Sequence, residues 1–226
     1  MRLRRVASLT AGAALFFVTA AGAQPVDVAG LNERYKDPDL KVEVWAQRFE
    51  SEGREVFDHR EEIVASIGLE SGQSIADVGA GTGLFVPLFA AAVGPEGKVY
   101  AVDIAPRFIE HIRARAAERD LTQVTAILNE DRSTRLPEGS VDVVFICDTY
   151  HHFEYPEAML ASIHQAMRPG GKLVIVDFKR EGRMGRHVRA GKEVFKAEIE
   201  AGGFRFTEEI EIDGIEENYI LRFERR

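Results

Sequence analysis

Asp77-Val78-Gly79-Ala80-Gly81-Thr82-Gly83 closes a short strand-like run, Ile75 to Val78, and leads into an apolar stretch of helical character, Leu84 to Val93. Three alternating glycines allow a tight turn and let backbone N–H groups approach a ligand at a helix start. Dinucleotide sites use similar loops, but two details point elsewhere. A pyrophosphate loop wants Gly or Ala at its sixth position, and counting from Gly79 that position is Leu84. Asp77, just ahead of the glycines, would repel a pyrophosphate and suits a ligand with a cationic end.

Outward from this loop, strand-like and helix-like segments alternate. Val99 to Val102 is a second strand, ended by Asp103, which lies 20 residues beyond Gly83 and is placed at a strand tip to accept both hydroxyls of a ribose. A long helix begins at Pro106 and runs to about Arg119, a third strand spans Val124 to Leu128, and the fourth and most apolar spans Val141 to Ile146. Glu157 to Met167 reads as a helix stopped by Arg168-Pro169-Gly170-Gly171, Leu173 to Val176 as a fifth strand, and Arg189 to Ala201 as a helix closed by Gly202-Gly203. Two final strands, Phe204 to Ile212 and Asn218 to Phe223, have no helix between them and are expected to pair antiparallel. The alternation predicts an α/β fold: a doubly wound, Rossmann-like, seven-stranded and mostly parallel sheet with helices on both faces. Ligands in such sheets bind beyond the carboxyl ends of the strands, where strand order reverses.

The chain has 226 residues, 45% hydrophobic and 29% charged, ordinary for one globular domain with a full core. Its start differs in kind. Arg2, Arg4 and Arg5 precede a charge-free run from Val6 to Ala20, and Ala21-Gly22-Ala23 supplies small residues for cleavage. Residues 1–23 are therefore expected to be a secretory signal, with export to the periplasm; a retained membrane anchor and a cytoplasmic form are the alternatives. Residues 24–40 read as a linker. Residues 41–226 form the domain, whose first part, 41–70, is a helical lid carrying Trp45, Phe49, Arg54 and Phe57. Formal net charge is −8, and losing three signal arginines leaves 26 basic against 37 acidic residues, or −11. So acidic a body lacks the basic footprint of a nucleic-acid partner. Membrane contact is expected only where the N-terminal segment is retained. Cys147, the single cysteine, excludes an intrachain disulfide.

With these motifs the chain resembles the class I S-adenosylmethionine-dependent methyltransferases, in particular their small-molecule, ubiquinone-biosynthesis-like branch. The resemblance is carried by Ala76 to Gly83, by Ala101-Val102-Asp103, by Leu136-Pro137 with Val141 to Val144, and by Met167 to Leu173. It implies S-adenosyl-L-methionine as cofactor and methyl transfer to a small-molecule acceptor. Asp77 and the loop Gly79, Ala80, Gly81, Thr82 and Gly83 would hold the methionine end, and Asp103 the ribose, with Ile104 on the adenine. The family's Asp-Ala pair is replaced here by Asn129-Glu130-Asp131-Arg132, leaving Asp131, then Asn129, as candidates for the adenine amino group.

The fourth strand runs into Cys147-Asp148-Thr149-Tyr150-His151-His152-Phe153, which the resemblance places between cofactor and acceptor. His151 and Asp148 are the catalytic candidates, because a histidine of near-neutral pKa suits an acceptor that must lose a proton. Cys147 is read as packing at the cofactor side rather than as a nucleophile. Tyr150, His152, Lys179, His187 and Arg189 are candidate acceptor contacts, the last three from the segment after the fifth strand. Asp148, His151, His152 and Asp177 share one end of the sheet, but no Asp-Asn pair follows the fifth strand, and no metal is expected. Two rival readings remain: an exported, non-catalytic module that keeps the fold and binds the cofactor, and a lipid or quinone methyltransferase at a membrane face.

Overall fold

Every residue of β1 (Ser74–Val78) is buried, and this strand anchors the sheet in the computed structural model, which describes residues 30–226. The expected signal segment and the first part of the expected linker lie outside the described residues. β1 is followed by α4 (Val86–Val93), β2 (Lys98–Asp103), α5 (Pro106–Glu118), β3 (Val124–Leu128), β4 (Val141–Cys147), α6 (Pro156–Ala166), β5 (Met167–Phe178), α7 (Lys192–Ala201), β6 (Phe204–Ile210) and β7 (Asn218–Arg225). Ahead of the sheet lie α1 (Val42–Phe49), α2 (Glu55–Asp58) and α3 (Arg60–Ile67). One seven-stranded sheet runs in the order β3-β2-β1-β4-β5-β7-β6. Its first five strands are parallel, and β7 inserts antiparallel between β5 and β6. The doubly wound sheet with an antiparallel end is the one expected.

Side chains of a strand alternate between faces, and each face here has its own core. From β1 and β5, Ala76, Val78, Leu173 and Ile175 meet Ile163, Phe195 and Ile199 of α6 and α7. Ile75, Val174 and Val176 meet Ile63, Ile67, Phe89 and Ile112 on the opposite face. Chain order steps outward from β1 to β3 and then jumps back to β4. The reversal therefore falls between β1 and β4, and their carboxyl ends define the crevice.

Three expectations are corrected. β5 begins at Met167 rather than Leu173: Met167 pairs with Val141, and a register shift follows, so the Arg168-Pro169-Gly170-Gly171 stretch lies within the strand. α7 begins at Lys192 rather than Arg189, because Gly191 is extended and stands at the helix boundary. The third concerns the linker. Residues 30–40 carry a short 3-10 turn at Glu33–Tyr35 and are packed onto the body, with Leu40 buried beside Val42, Ala105 and Phe108. Asn32 anchors the segment by donating its amide to the His152 carbonyl at 2.9 Å. None of the described helices is long and apolar enough to cross a membrane.

Candidate active site

The loop after β1 turns on three left-handed glycines, with φ of +82° at Gly79, +55° at Gly81 and +81° at Gly83. Gly79 has no substitute: a Cβ there would stand 2.2 Å from Thr149 Cγ2, because the loop after β4 lies directly against it. Gly81 donates its N–H to Asp103 Oδ2 at 2.7 Å, and Ala105 donates to Oδ1 at 2.8 Å. The two strand tips are thereby joined, while each carboxylate oxygen keeps a further acceptor position.

A cavity of about 560 Å³ opens over this junction. On the β2 and β3 side its wall includes Gly79, Gly81, Asp103, Ile104, Asn129 and Asp131. On the β4 side it includes Asp148, His151, His152 and His187. The N-terminal segment and α1 supply Tyr35, Trp45 and Phe49, whose rings pack on one another and on Phe108 at centroid distances of 5.0–6.5 Å. Glu50, just past α1, ties this segment to the body: its Oε1 accepts from Thr82 Oγ1 at 2.7 Å and from Arg115 Nη1 at 2.9 Å. No local motif marks this latch, since its three members are far apart in the chain.

Electrostatics divide the cavity. At the glycine end, Asp77 is buried with Oδ2 lacking any partner. Burial, and then the charge of Asp103, push its carboxyl up to about 8. Asp103 rises to about 6 through burial, opposed by its backbone hydrogen bonds. Asp103 lines the cavity here, whereas Asp77 is off its wall and holds a proton at neutral pH; a cationic ligand group nearby would favour the ionised form of both. At the other end Asp148 has φ +47° and receives Arg54 Nη2 at 2.6 Å and Asn218 Nδ2 at 2.7 Å. Burial raises its pKa, and the Arg54 guanidinium opposes that rise. His151 is buried, with Nδ1 2.7 Å from Asp177 Oδ1 and Nε2 unpartnered. Burial favours its neutral ring, yet the Asp177 carboxylate outweighs that and raises its pKa. Beside it, burial and the neighbouring histidines drive His152 down to about 2.

Several expected site residues stand elsewhere. Asp77, Ala80, Thr82 and Gly83 do not line the cavity: Asp77 is buried in β1, Thr82 is bonded to Glu50, and Gly83 lies against Ile112. Cys147 is not on the cavity wall either; its side chain packs against the apolar core of the sheet face that carries α3 and α4, and burial pushes its thiol up. Tyr150 is fully buried and donates to Glu198 Oε2 at 3.1 Å. Arg189 clamps Glu198 with two bonds of 2.8 and 2.6 Å and lies over the Phe195 ring, so its charge is spent within the fold. Lys179 lies outside the cavity wall. Asp131 and Asn129 both reach the wall, but the Asp131 carboxylate is paired with Lys36 at 3.0 Å. Asn218 and Asn32, silent in the sequence, are added by β7 and by the packed N-terminal segment.

Comparison with known proteins agrees with this architecture. Residues 76–175 match the family described as Methyltransferase domain. The ubiquinone/menaquinone biosynthesis C-methyltransferases UbiE of Cupriavidus taiwanensis and Cupriavidus metallidurans are each 26% identical over 117 residues, covering 52% of this chain and 48% of theirs. The chain thus spans about half the length of the curated relatives it matches. Among solved structures, a SAM dependent methyltransferase from Aquifex aeolicus superimposes with a TM-score of 0.73 at 24% identity, over 82% of this chain and 99% of that one. The [4+2]-cyclase SpnF does so with 0.66 at 17% identity, over 78% and 85%. The matched segment contains the glycine loop, Asp103 and the start of β5, and over it the chain is similar to S-adenosylmethionine-dependent methyltransferases.

Proposed function

We propose that this protein transfers the methyl group of S-adenosylmethionine to a small-molecule acceptor held between the glycine loop and the histidines after β4. The observation that carries the reading is one continuous cavity, walled by Gly81 and Asp103 at one end and by Asp148 and His151 at the other. The unpartnered carboxylate oxygen of Asp77 and the side-chain-free approach at Gly81 fit the cofactor's charged methionine end. Asp103 would hold the ribose through its free acceptor positions, and Ile104 lies beside it on the wall. Bound there, the cofactor supplies an electrophilic methyl group on a sulfonium.

The chain's own part is alignment, exclusion of water and proton handling. Trp45, Phe49 and Tyr35 close the cavity roof. His151 presents Nε2 to the acceptor because Asp177 engages Nδ1, and Nε2 takes the proton of an acceptor that must lose one. Arg54 and Asn218 keep Asp148 fixed beside it. The name of the UbiE relatives makes an aromatic quinone precursor the first acceptor class to try. Calorimetric titration with S-adenosylmethionine tests the reading, using Asp103→Ala as the comparison. Loss of charge-assisted hydrogen bonds should weaken binding by at least ~1.5 kcal/mol. Equal affinity for both proteins would remove Asp103 from the site.

A further inference from the structure

We infer that His151, His152 and His187 form a binding site for one divalent transition-metal ion of the zinc type, with its open position facing the cavity. His151 and His152 are neighbours in the chain, and His187 joins them from 35 residues beyond His152, in the segment between β5 and α7. The fold brings them together. One ring nitrogen from each lies within 4.8 Å of the others, and the ring centroids are 4.3–5.0 Å apart.

Two observations favour a ligand set over a packed cluster. His152 Nε2 and His187 Nε2 are 3.2 Å apart. The two rings share a hydrogen bond at this distance, and two nitrogens bound tetrahedrally to zinc at about 2.0–2.1 Å would stand about 3.3 Å apart, so an ion could replace the shared proton with little movement of either ring. The third ring is set up from behind. Asp177 holds His151 Nδ1 at 2.7 Å, and His151 Nε2 is buried with no partner. A carboxylate behind one ring nitrogen, with the other left free, is the outer-shell arrangement that orients ligating histidines. The donors are all imidazole nitrogens, which suits zinc, iron, nickel or copper and not magnesium or calcium.

All three histidines line the cavity, so an ion held by them keeps a fourth position open toward the acceptor. That consequence rests on the proposed methyl transfer; the binding of the ion does not. In the loaded protein His151 is a ligand, and the cation lowers the pKa of an acceptor hydroxyl or thiol bound to it. In the metal-free protein the same nitrogen is the base.

The test is a titration of chelator-stripped protein with Zn²⁺ against a chromophoric chelator, repeated with Co²⁺ and its visible absorption. One equivalent of Zn²⁺ should bind, and Co²⁺ should give the intense bands of a four-coordinate site. His187→Ala, on a half-exposed loop, should lose more than the roughly 100-fold seen when outer-shell partners are removed. His164→Ala, outside the cluster, should bind as the parent does. Absence of stoichiometric Zn²⁺ binding would overturn the inference, and so would a His187→Ala protein of unchanged affinity. S-adenosylmethionine affinity of the same stripped protein, measured in parallel, reports on the methyltransferase reading independently.

Discussion

Asp177 holds His151 twice: Oδ1 lies 2.7 Å from the ring Nδ1, and Oδ2 accepts the His151 backbone N–H at 3.1 Å. One buried carboxylate at the end of β5 therefore sets both the ring and the turn after β4. Asp177→Asn keeps the size and removes the charge that fixes the Nδ1–H tautomer. Catalytic turnover should fall about 10- to 100-fold, as for other outer-shell partners, while S-adenosylmethionine affinity stays within about twofold. Ring ¹⁵N spectra give a readout that needs no acceptor. They should show the His151 tautomer preference lost, and an unchanged tautomer would leave Asp177 a packing residue only.

Two of the three left-handed glycines of the loop should fail in different ways. Gly79→Ala places a Cβ 2.2 Å from Thr149 Cγ2, so the loops after β1 and β4 must part. Denaturant unfolding should show a loss beyond the ~1–3 kcal/mol of backbone strain alone. At Gly81 a Cβ meets only Phe49, at an ordinary 3.5 Å. Gly81→Val should therefore cost about the ~1–2 kcal/mol of a left-handed residue and still abolish cofactor binding, because the side chain stands in the approach. A Gly81→Val protein that binds the cofactor normally would place the methionine end elsewhere.

Asp77 makes stability and binding depend on pH in opposite ways. Its carboxyl is raised from 3.8 to about 8 in the folded protein, so the folded state holds a proton that the unfolded chain has lost. The stabilisation is complete below about pH 4 and is lost as pH rises through 8. Asp77→Asn should flatten this dependence, and the variant should melt above the parent at pH 8. A cationic ligand reverses the preference and expels the proton. Calorimetry near pH 7 in buffers of different ionisation enthalpy should detect proton release on S-adenosylmethionine binding by the parent, reduced in Asp77→Asn. Equal release from both would exclude Asp77 as its source.

The sheet was legible because each strand is a short apolar run and each loop is marked by Gly, Pro or an acid. The last pairing was legible too, since no helix separates β6 from β7. At the site, the positions of backbone motifs follow from the chain path. Gly81 and Asp103 meet because both stand at the carboxyl ends of neighbouring parallel strands. Side chains read from composition did less well. Arg189 and Tyr150 look free in the sequence, but α7 brings Glu198 against both, and the three satisfy one another. Residues 24–40 look like a linker because they are polar, yet Asn32, Tyr35 and Leu40 are enough to fasten the described part of them over the site. Such long-range partners leave no local periodicity to read.

The latch at Glu50 should govern release of the cofactor rather than global stability. Its carboxylate joins the lid to Thr82 and Arg115, two elements of the body. Glu50→Ala leaves the sheet and both cores untouched. Stopped-flow dissociation of S-adenosylhomocysteine should quicken several-fold, while the melting temperature shifts by only a few degrees. Unchanged dissociation would mean that the aromatic packing of Trp45 and Phe49 closes the lid unaided.

The last prediction concerns where the chain works. Arg2, Arg4, Arg5, the charge-free run to Ala20 and Ala21-Gly22-Ala23 are expected to direct export with cleavage before Gln24. S-adenosylmethionine is made inside the cell, so an exported enzyme needs a supply, and Arg4-Arg5 offers one: a twin-arginine route carries folded proteins with ligand already bound. Val6-Ala7-Ser8 matches that route's pattern only loosely, which favours the general secretory path. Replacing Arg4-Arg5 by Lys-Lys separates the two, since general secretion needs only the positive charge and the twin-arginine route needs the arginines. The substituted chain should still be exported and begin at Gln24 by mass. Loss of export on substitution would assign the folded route instead. Native chain found uncleaved in the soluble cytosol would defeat both and leave the chain in the compartment where S-adenosylmethionine is made.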